Sequence, residues 1–241
     1  GTTGTAVEKR LALHFMTNEI RVMHVALSLN PGGTERIIID LAKASLAQVQ
    51  ACVCCLDVKG RWSRELESVG VPVFEIRRRP GFHPSLSRNL LALVKAHRIQ
   101  LLHCHHYTPF VYGALTKLWH PTTKVVYTEH GRLSDVGLSK KRELANKILA
   151  RVPGAFYSVS ADLRKHMIAE GFQSNRVGVI HNGIDPGRAP TLLDRDVGRS
   201  LIGLTTSDLV IGTVARLDPV KNLTMMISGF ARFAQFRRDA T

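Results

Sequence analysis

The segment Arg216-Leu217-Asp218-Pro219-Val220-Lys221-Asn222 puts an arginine and a lysine on one short loop, both cationic at neutral pH. Two fixed cations suit a phosphate group, because they stabilise negative charge that develops in a cleft screened from water. A basic surface loop is the plain alternative. A second segment, Asn30-Pro31-Gly32-Gly33-Thr34-Glu35-Arg36, lies between a β-type run and a helical one. Its paired glycines let a ligand approach the backbone, and the N–H groups that open the helix attract an anion. Alone it reads equally well as a tight turn, because the full G-x-G-x-x-G fingerprint is missing.

Imidazoles cluster in two further places, His103-Cys104-His105-His106-Tyr107 and Thr128-Glu129-His130-Gly131-Arg132. Histidine and cysteine together suggest zinc, but neighbouring strand residues point to opposite faces, so His103 and Cys104 do not converge on one ion. No metal is expected. A polar cleft wall is the better reading, with His105 or His106 facing a substrate. His130 would donate to a hydroxyl or steady a developing charge, and Glu129 would act in proton transfer or orient His130.

Segments at these spacings need a sheet that presents them along one edge. Short β-type runs are expected at Arg21–Leu27, Gln50–Cys55, Val71–Ile76, Ile99–His103, Lys124–Thr128, Ala155–Val159, Val177–Ile180 and Val210–Val214. Helical patterns alternate with them at Glu35–Ala47, Trp62–Ser68, Leu86–His97, Phe110–Trp119, Lys140–Ala150, Ala161–Glu170 and Asn222–Phe236, with Ser85 and Ser160 as expected caps. Alternation of this kind predicts an α/β fold, a doubly wound, Rossmann-like parallel sheet whose strands are apolar throughout because both faces are covered. All four segments fall where a strand ends or a helix begins, the edge at which such sheets bind ligands. Asn182-Gly183 and Asp185-Pro186-Gly187 form the densest turn cluster. The expected organisation is a disordered extension at 1–15, a first domain at 16–185, a linker at 186–207, and the opening of an incomplete second Rossmann-like domain at 208–241.

The 241 residues suit one domain and part of another, and 44% apolar with 22% charged residues is ordinary globular usage. A net charge of +14 points to an anionic partner or surface, or to an acidic portion elsewhere. With 6% aromatics and no zinc-finger, RNP-like or basic-heptad pattern, nucleic acid is not an expected partner. Cys52, Cys54, Cys55 and Cys104 make a poor disulfide framework, which favours reduced thiols and a cytoplasmic location. No apolar run approaches the ~20 residues of a membrane-spanning helix.

Taken in order, the segments resemble the glycosyltransferases of family 4, which have the two-domain GT-B architecture. Gly32 to Arg36 looks like the family's glycine-rich loop, and Thr128 to Gly131 like its T-x-H segment. His181-Asn182-Gly183-Ile184-Asp185 looks like N-G-[IV]-D, and Arg216 to Asn222 like G-R-L-x-x-x-K-N with Ala215 in place of glycine. The resemblance runs from about Ile20 to the end. It implies that 16–185 is the GT-B N-terminal, acceptor-side domain and that 208–241 opens the nucleotide-sugar domain. It further implies that Arg216 and Lys221 bind the donor diphosphate, His130 serves as the catalytic contact to the transferred sugar, and Gly32, Gly33, Glu35, His105, His106, Glu129 and Asn182 line the substrate site. A retaining transfer of a hexose from a nucleotide diphosphate sugar follows, without metal or cofactor, to a saccharide or polyprenyl-linked acceptor in polysaccharide or glycolipid synthesis.

The family's E-x7-E pair lies beyond the motifs present here. A truncated product that only binds acceptor or anionic lipid is therefore an alternative. A dehydrogenase is less well supported, since Asp57 alone approaches the acidic residue expected after the second strand. Basic clusters at Arg77, Arg78 and Arg79 and at Lys140, Lys141, Arg142, Lys147 and Arg151 suit anionic headgroups, which would place the protein peripherally on the inner face of a membrane.

Overall fold

The computed structural model of the protein describes residues 20–131, 140–152, 154–185, 187, 189–215 and 217–236. They divide into two compact units, one ending at Gly183 and the other beginning at Ile184. Each is considered by itself.

The first unit carries β1 (Ile20–Ser28), α1 (Gly33–Ala44), β2 (Val49–Val58), α2 (Ser63–Glu67), β3 (Val73–Glu75), α3 (Ser85–Ala96), β4 (Leu101–His105), α4 (Tyr107–Trp119), β5 (Lys124–Glu129), α5 (Lys140–Leu149), β6 (Gly154–Ser158), α6 (Ala161–Ala169) and β7 (Val177–Val179). The seven strands form one parallel sheet in the order β3-β2-β1-β4-β5-β6-β7. The order reverses between β1 and β4, so the crevice outside their carboxyl ends is the topological switch point.

The apolar character of the strands is spent on both faces. Met23, Val25, Cys54, Leu102, Cys104 and Tyr127 pack on one side. Ala26, Val53 and Cys55 pack on the other, under Ile38, Ile39 and Ala42 of α1. The four cysteines are buried and free. Burial pushes the Cys52 and Cys55 thiols up to about 12, so they behave as small apolar side chains. Phe110 stacks on Tyr127 with ring centroids 4.4 Å apart and 9° between planes, which ties α4 to β5 directly beneath the segments of interest.

Of the two expected caps, one is formed and one is not. Ser160 caps α6, its hydroxyl accepting from the Leu163 N–H at 3.1 Å, and Gly171 follows that helix at φ +100. Ser85 was the expected cap of α3, but Pro84 holds the cap position and Ser85 is the first helical residue. Proline at the boundary sets a helical φ and removes an N–H that would have no partner there.

The second unit contains α7 (Leu192–Leu201), a short 3-10 turn (Pro219–Lys221) and α8 (Leu223–Phe236). Helix α7 falls where a linker was expected; Thr191 and Asp194 form a reciprocal capping box that starts it. The expected strand at Val210–Val214 is not formed. Leu209, just before it, forms an isolated bridge that residues 210–214 do not extend. No described helix is long and apolar enough to cross a membrane.

Candidate functional site

Three strand ends deliver the site. Beyond β1, Asn30 to Gly32 lead into α1, whose N-cap is Gly32 in extended conformation. A Cβ on Gly33 would meet no described atom within 4 Å, so the protein's own packing leaves that backbone open to a ligand. The Glu35 carboxylate folds back over Gly32. Behind this turn Gly60, at φ +78, lies against the backbone of Leu29 and Asn30, and the Asn30 side chain accepts from the Arg61 N–H at 3.3 Å.

β4 ends at His105, and His106 follows as the N-cap of α4 with φ 72. A side chain as large as histidine seldom adopts this left-handed conformation, which costs of order 1 kcal/mol or more and is held by its surroundings. The His106 N–H donates to the Thr128 carbonyl at 3.0 Å, and its ring bridges two segments. Nδ1 lies 2.8 Å from Glu129 Oε1, and Nε2 lies 3.0 Å from Thr34 Oγ1. Because the carboxylate only accepts, Nδ1 donates to it, and Nε2 shares the second bond with the threonine hydroxyl.

Glu129 closes β5 in a buried position. Tyr127 donates its hydroxyl to Oε2 at 2.6 Å, and the His130 N–H donates to Oε1 at 3.1 Å. Burial raises the pKa of this carboxyl, but the bonds from His106 and Tyr127 outweigh it and hold the group below its ordinary value. The carboxylate is thus an anchored anion, bonded to His106, Tyr127 and the His130 backbone N–H.

The second set of imidazoles was only half legible. His103 and His105 share one sheet face while Cys104 points into the core on the other, as strand alternation requires. Their partner is His24 of β1, which sits in register with His103. His24 Nδ1 is 3.1 Å from His105 Nε2, and His105 Nδ1 is 2.9 Å from His130 Nε2. The ring centroids of the two pairs are 5.3 and 5.2 Å apart, so with their nitrogens this close the rings meet edge to edge. Burial lowers His24 to about 4, His103 to about 3 and His130 to about 4, and pushes His105 well below the ordinary range. All four are neutral at pH 7.

His24, His103 and His105 present nitrogens within 4.8 Å of one another, the nearest approach to a metal-ligand set among the described residues. Those nitrogens already have other uses: the His24–His105 and His105–His130 links, and His103 Nε2 at 2.9 Å from Thr128 Oγ1. We therefore treat the trio as hydrogen bonded. His130 Nδ1 is buried and has no partner among the described residues.

Of the residues expected in the site, Gly32, Gly33, Glu35, His105, His106, Glu129 and His130 gather at the ends of β1, β4 and β5. Asn182 is exposed and follows β7, two strands beyond β5 at the margin of the sheet. Lys221 is exposed and ends the 3-10 turn of the second unit, its N–H donating to the Asp218 carbonyl at 2.9 Å. Arg216 lies outside the described residues. His24 and Thr34 are the members that sequence reasoning missed. A His24 signal would have required knowing that β1 and β4 are neighbours.

The sequence profile of Glycosyltransferase Family 4 matches residues 31–188. HepE of Anabaena, crystallised with UDP and glucose, is similar in structure with a TM-score of 0.75 at 23% identity, over 92% of this chain and 60% of that one. A glycosyltransferase from Rickettsia africae is similar with a TM-score of 0.57 at 13% identity, over 70% of this chain and 44% of that one. The chain therefore spans less than two thirds of either protein. No curated protein sequence matches it. The shared architecture is GT-B.

Proposed function

Since the chain belongs to glycosyltransferase family 4, we propose that it serves a transferase that moves a hexose from a nucleotide diphosphate sugar to a saccharide or polyprenyl-linked acceptor, with retention, in cell-surface polysaccharide or glycolipid synthesis. The observation that carries this reading is the junction at the β1/β4 switch point. There the open backbone of Gly33, a threonine–histidine–glutamate bridge and a buried histidine whose Nδ1 has no partner among the described residues come together at the ends of β1, β4 and β5. HepE, which shares the fold, is known bound to UDP-glucose, which supports a nucleotide sugar as donor.

In this reading Gly33 admits the ligand to the backbone and the α1 N-terminus meets its negative charge. Thr34, His106 and Glu129 lock the two loops together, so His130 is held in place before substrate arrives. Lys221 and Arg216 hold the diphosphate and stabilise the charge that grows on it as the sugar departs. In the full-length protein, Arg216→Ala and Lys221→Ala should each lower kcat/KM for the accepted nucleotide sugar about 10- to 100-fold, the worth of a charge-assisted hydrogen bond. Unchanged turnover in both would overturn the assignment of the diphosphate site.

We also infer peripheral contact with an anionic membrane, in keeping with a place on its cytoplasmic face. On α5, Leu144 and Ile148 are exposed by 63% and 61% one turn apart, near Lys140 and near Lys147, which pairs with Glu143 at 2.7 Å. An apolar stripe with flanking cations suits an interfacial helix. The arginine run is less available than its sequence suggests, because Arg77 pairs with Glu75 and Arg78 with Asp57. Co-sedimentation should rise with the anionic fraction of phosphatidylcholine vesicles and fall for Leu144→Ser/Ile148→Ser. Binding that is indifferent to lipid charge would sink the idea.

A further inference from the structure

We propose that His105 and His24 are positioning residues: through two imidazole–imidazole hydrogen bonds they fix whether the free ring nitrogen of His130 is presented to a ligand as a donor or as an acceptor. The inference rests on the reading above only in taking that ligand to be the transferred sugar.

A neutral imidazole has one N–H and one bare nitrogen. His105 is engaged at both, with Nε2 facing His24 Nδ1 at 3.1 Å and Nδ1 facing His130 Nε2 at 2.9 Å. If His105 carries its proton on Nδ1, it donates to His130 and must accept from His24. The proton of His130 is then on Nδ1, and that buried, unpartnered atom is a donor. If His105 carries its proton on Nε2, both bonds reverse and His130 Nδ1 is bare. Any mixed arrangement sets two lone pairs or two N–H groups against each other across a buried gap, leaving unsatisfied polar groups out of water. All three histidines therefore share one tautomer. His24, 5% exposed and on a different strand, governs the hydrogen-bonding character of an atom it does not touch.

The surroundings keep the chain in line. His103 packs on the His105 ring with centroids 4.1 Å apart while its Nε2 is 2.9 Å from Thr128 Oγ1. His106 lies edge-on to His130 at 5.4 Å, and Glu129 accepts from the His130 N–H. A sugar hydroxyl can both give and accept, so the polarity of His130 Nδ1 selects which hydroxyl geometry is bound.

Nitrogen-15 NMR of histidine-labelled protein at pH 7 distinguishes a protonated ring nitrogen from a bare one. The expected result is a proton on the same ring nitrogen in His24, His105 and His130; different nitrogens in any two of them would overturn the proposal. His105→Leu should release His130 into a mixture of tautomers and weaken UDP-glucose binding about tenfold, the worth of one neutral hydrogen bond. An unchanged His130 tautomer would overturn the proposal. If that variant does not fold, His24→Leu breaks the chain at its far end and is read in the same way. Stoichiometric zinc uptake that consumes these nitrogens would also overturn it. Failure of the wild type to bind UDP-glucose would count against the donor reading alone, because the tautomers are measured without ligand.

Discussion

Acidified from pH 7 to pH 4, the first unit is expected to unfold. Four histidines, His24, His103, His105 and His130, are held neutral by burial, with folded values of about 4 for His24 and His130 and about 3 for His103, and His105 also well below normal. In the unfolded chain the same groups take up protons near pH 6.5. Because the folded values are depressed, their full contribution to stability is present above pH 6.5. It is lost as the pH falls towards the folded values, since only the unfolded state binds the protons. Each histidine adds a slope of about 1.4 kcal/mol per pH unit, so four acting together approach ~5 kcal/mol per unit, against a total stability of roughly 5–15 kcal/mol. Glu129 adds a smaller loss at lower pH: its folded value is also depressed, so its contribution is present above the ordinary carboxylate range and vanishes as pH falls through the folded value. Urea titrations at half-unit pH steps should show a steep decline between pH 6 and 4, with His103→Gln shallower by about one proton. A stability that is flat across this window would mean that the native imidazoles are already charged.

Replacing Gly60 by alanine is expected to cost between about 2 and 6 kcal/mol, combining a left-handed residue that bears a side chain with overlap against backbone that has no room to move. The added Cβ would press on the Leu29 carbonyl carbon and the Asn30 nitrogen. That strand end is bound on both sides, with the Leu29 N–H donating to the Lys59 carbonyl at 3.0 Å and the Trp62 N–H donating to the Leu29 carbonyl at 2.9 Å. Displacing it moves the whole turn that carries Gly32 and Gly33. The melting temperature is the direct measure, and a variant as stable as wild type would refute the close approach. Gly33→Ala is the matched control: its site is open, so it should fold with little change in stability and lose affinity for nucleotide sugar instead.

The sheet was legible because burial on both faces leaves nearly continuous apolar runs, and each of the seven strands of the first unit lies within about two residues of its expected position or overlaps it. Helix α7 was missed because its segment follows the turn cluster and carries Gly198, although Leu193, Val197 and Leu201 recur at helical spacing and the Thr191/Asp194 capping box marks its start. Val210–Val214 has the composition of a strand, but composition does not provide a pairing partner. In the site, residues that follow a strand directly, such as Gly33, His106 and His130, could be placed from the alternation alone. His24 could not, because it lies in mid-strand in a run that reads as core. The same limit hid the pairing of Arg77 and Arg78 with Glu75 and Asp57, which made two structural ion pairs look like a free basic patch.

The adjacency of β1 and β4 also bears on the order of events during folding. His24 and His105 are separated by 81 residues of chain, and β2 and β3 lie between them in sequence but not in space. A chain emerging from the ribosome can pair β1 with β2 locally, yet the crevice has only one of its walls until β4 is made and inserted beside β1. Closing that long loop carries an entropic cost, which the pairing of β1 with β2 and of β2 with β3 reduces. The junction of β1 with β4 thus forms only after β4 is made, and the edge of β1 that β4 covers stays open until then.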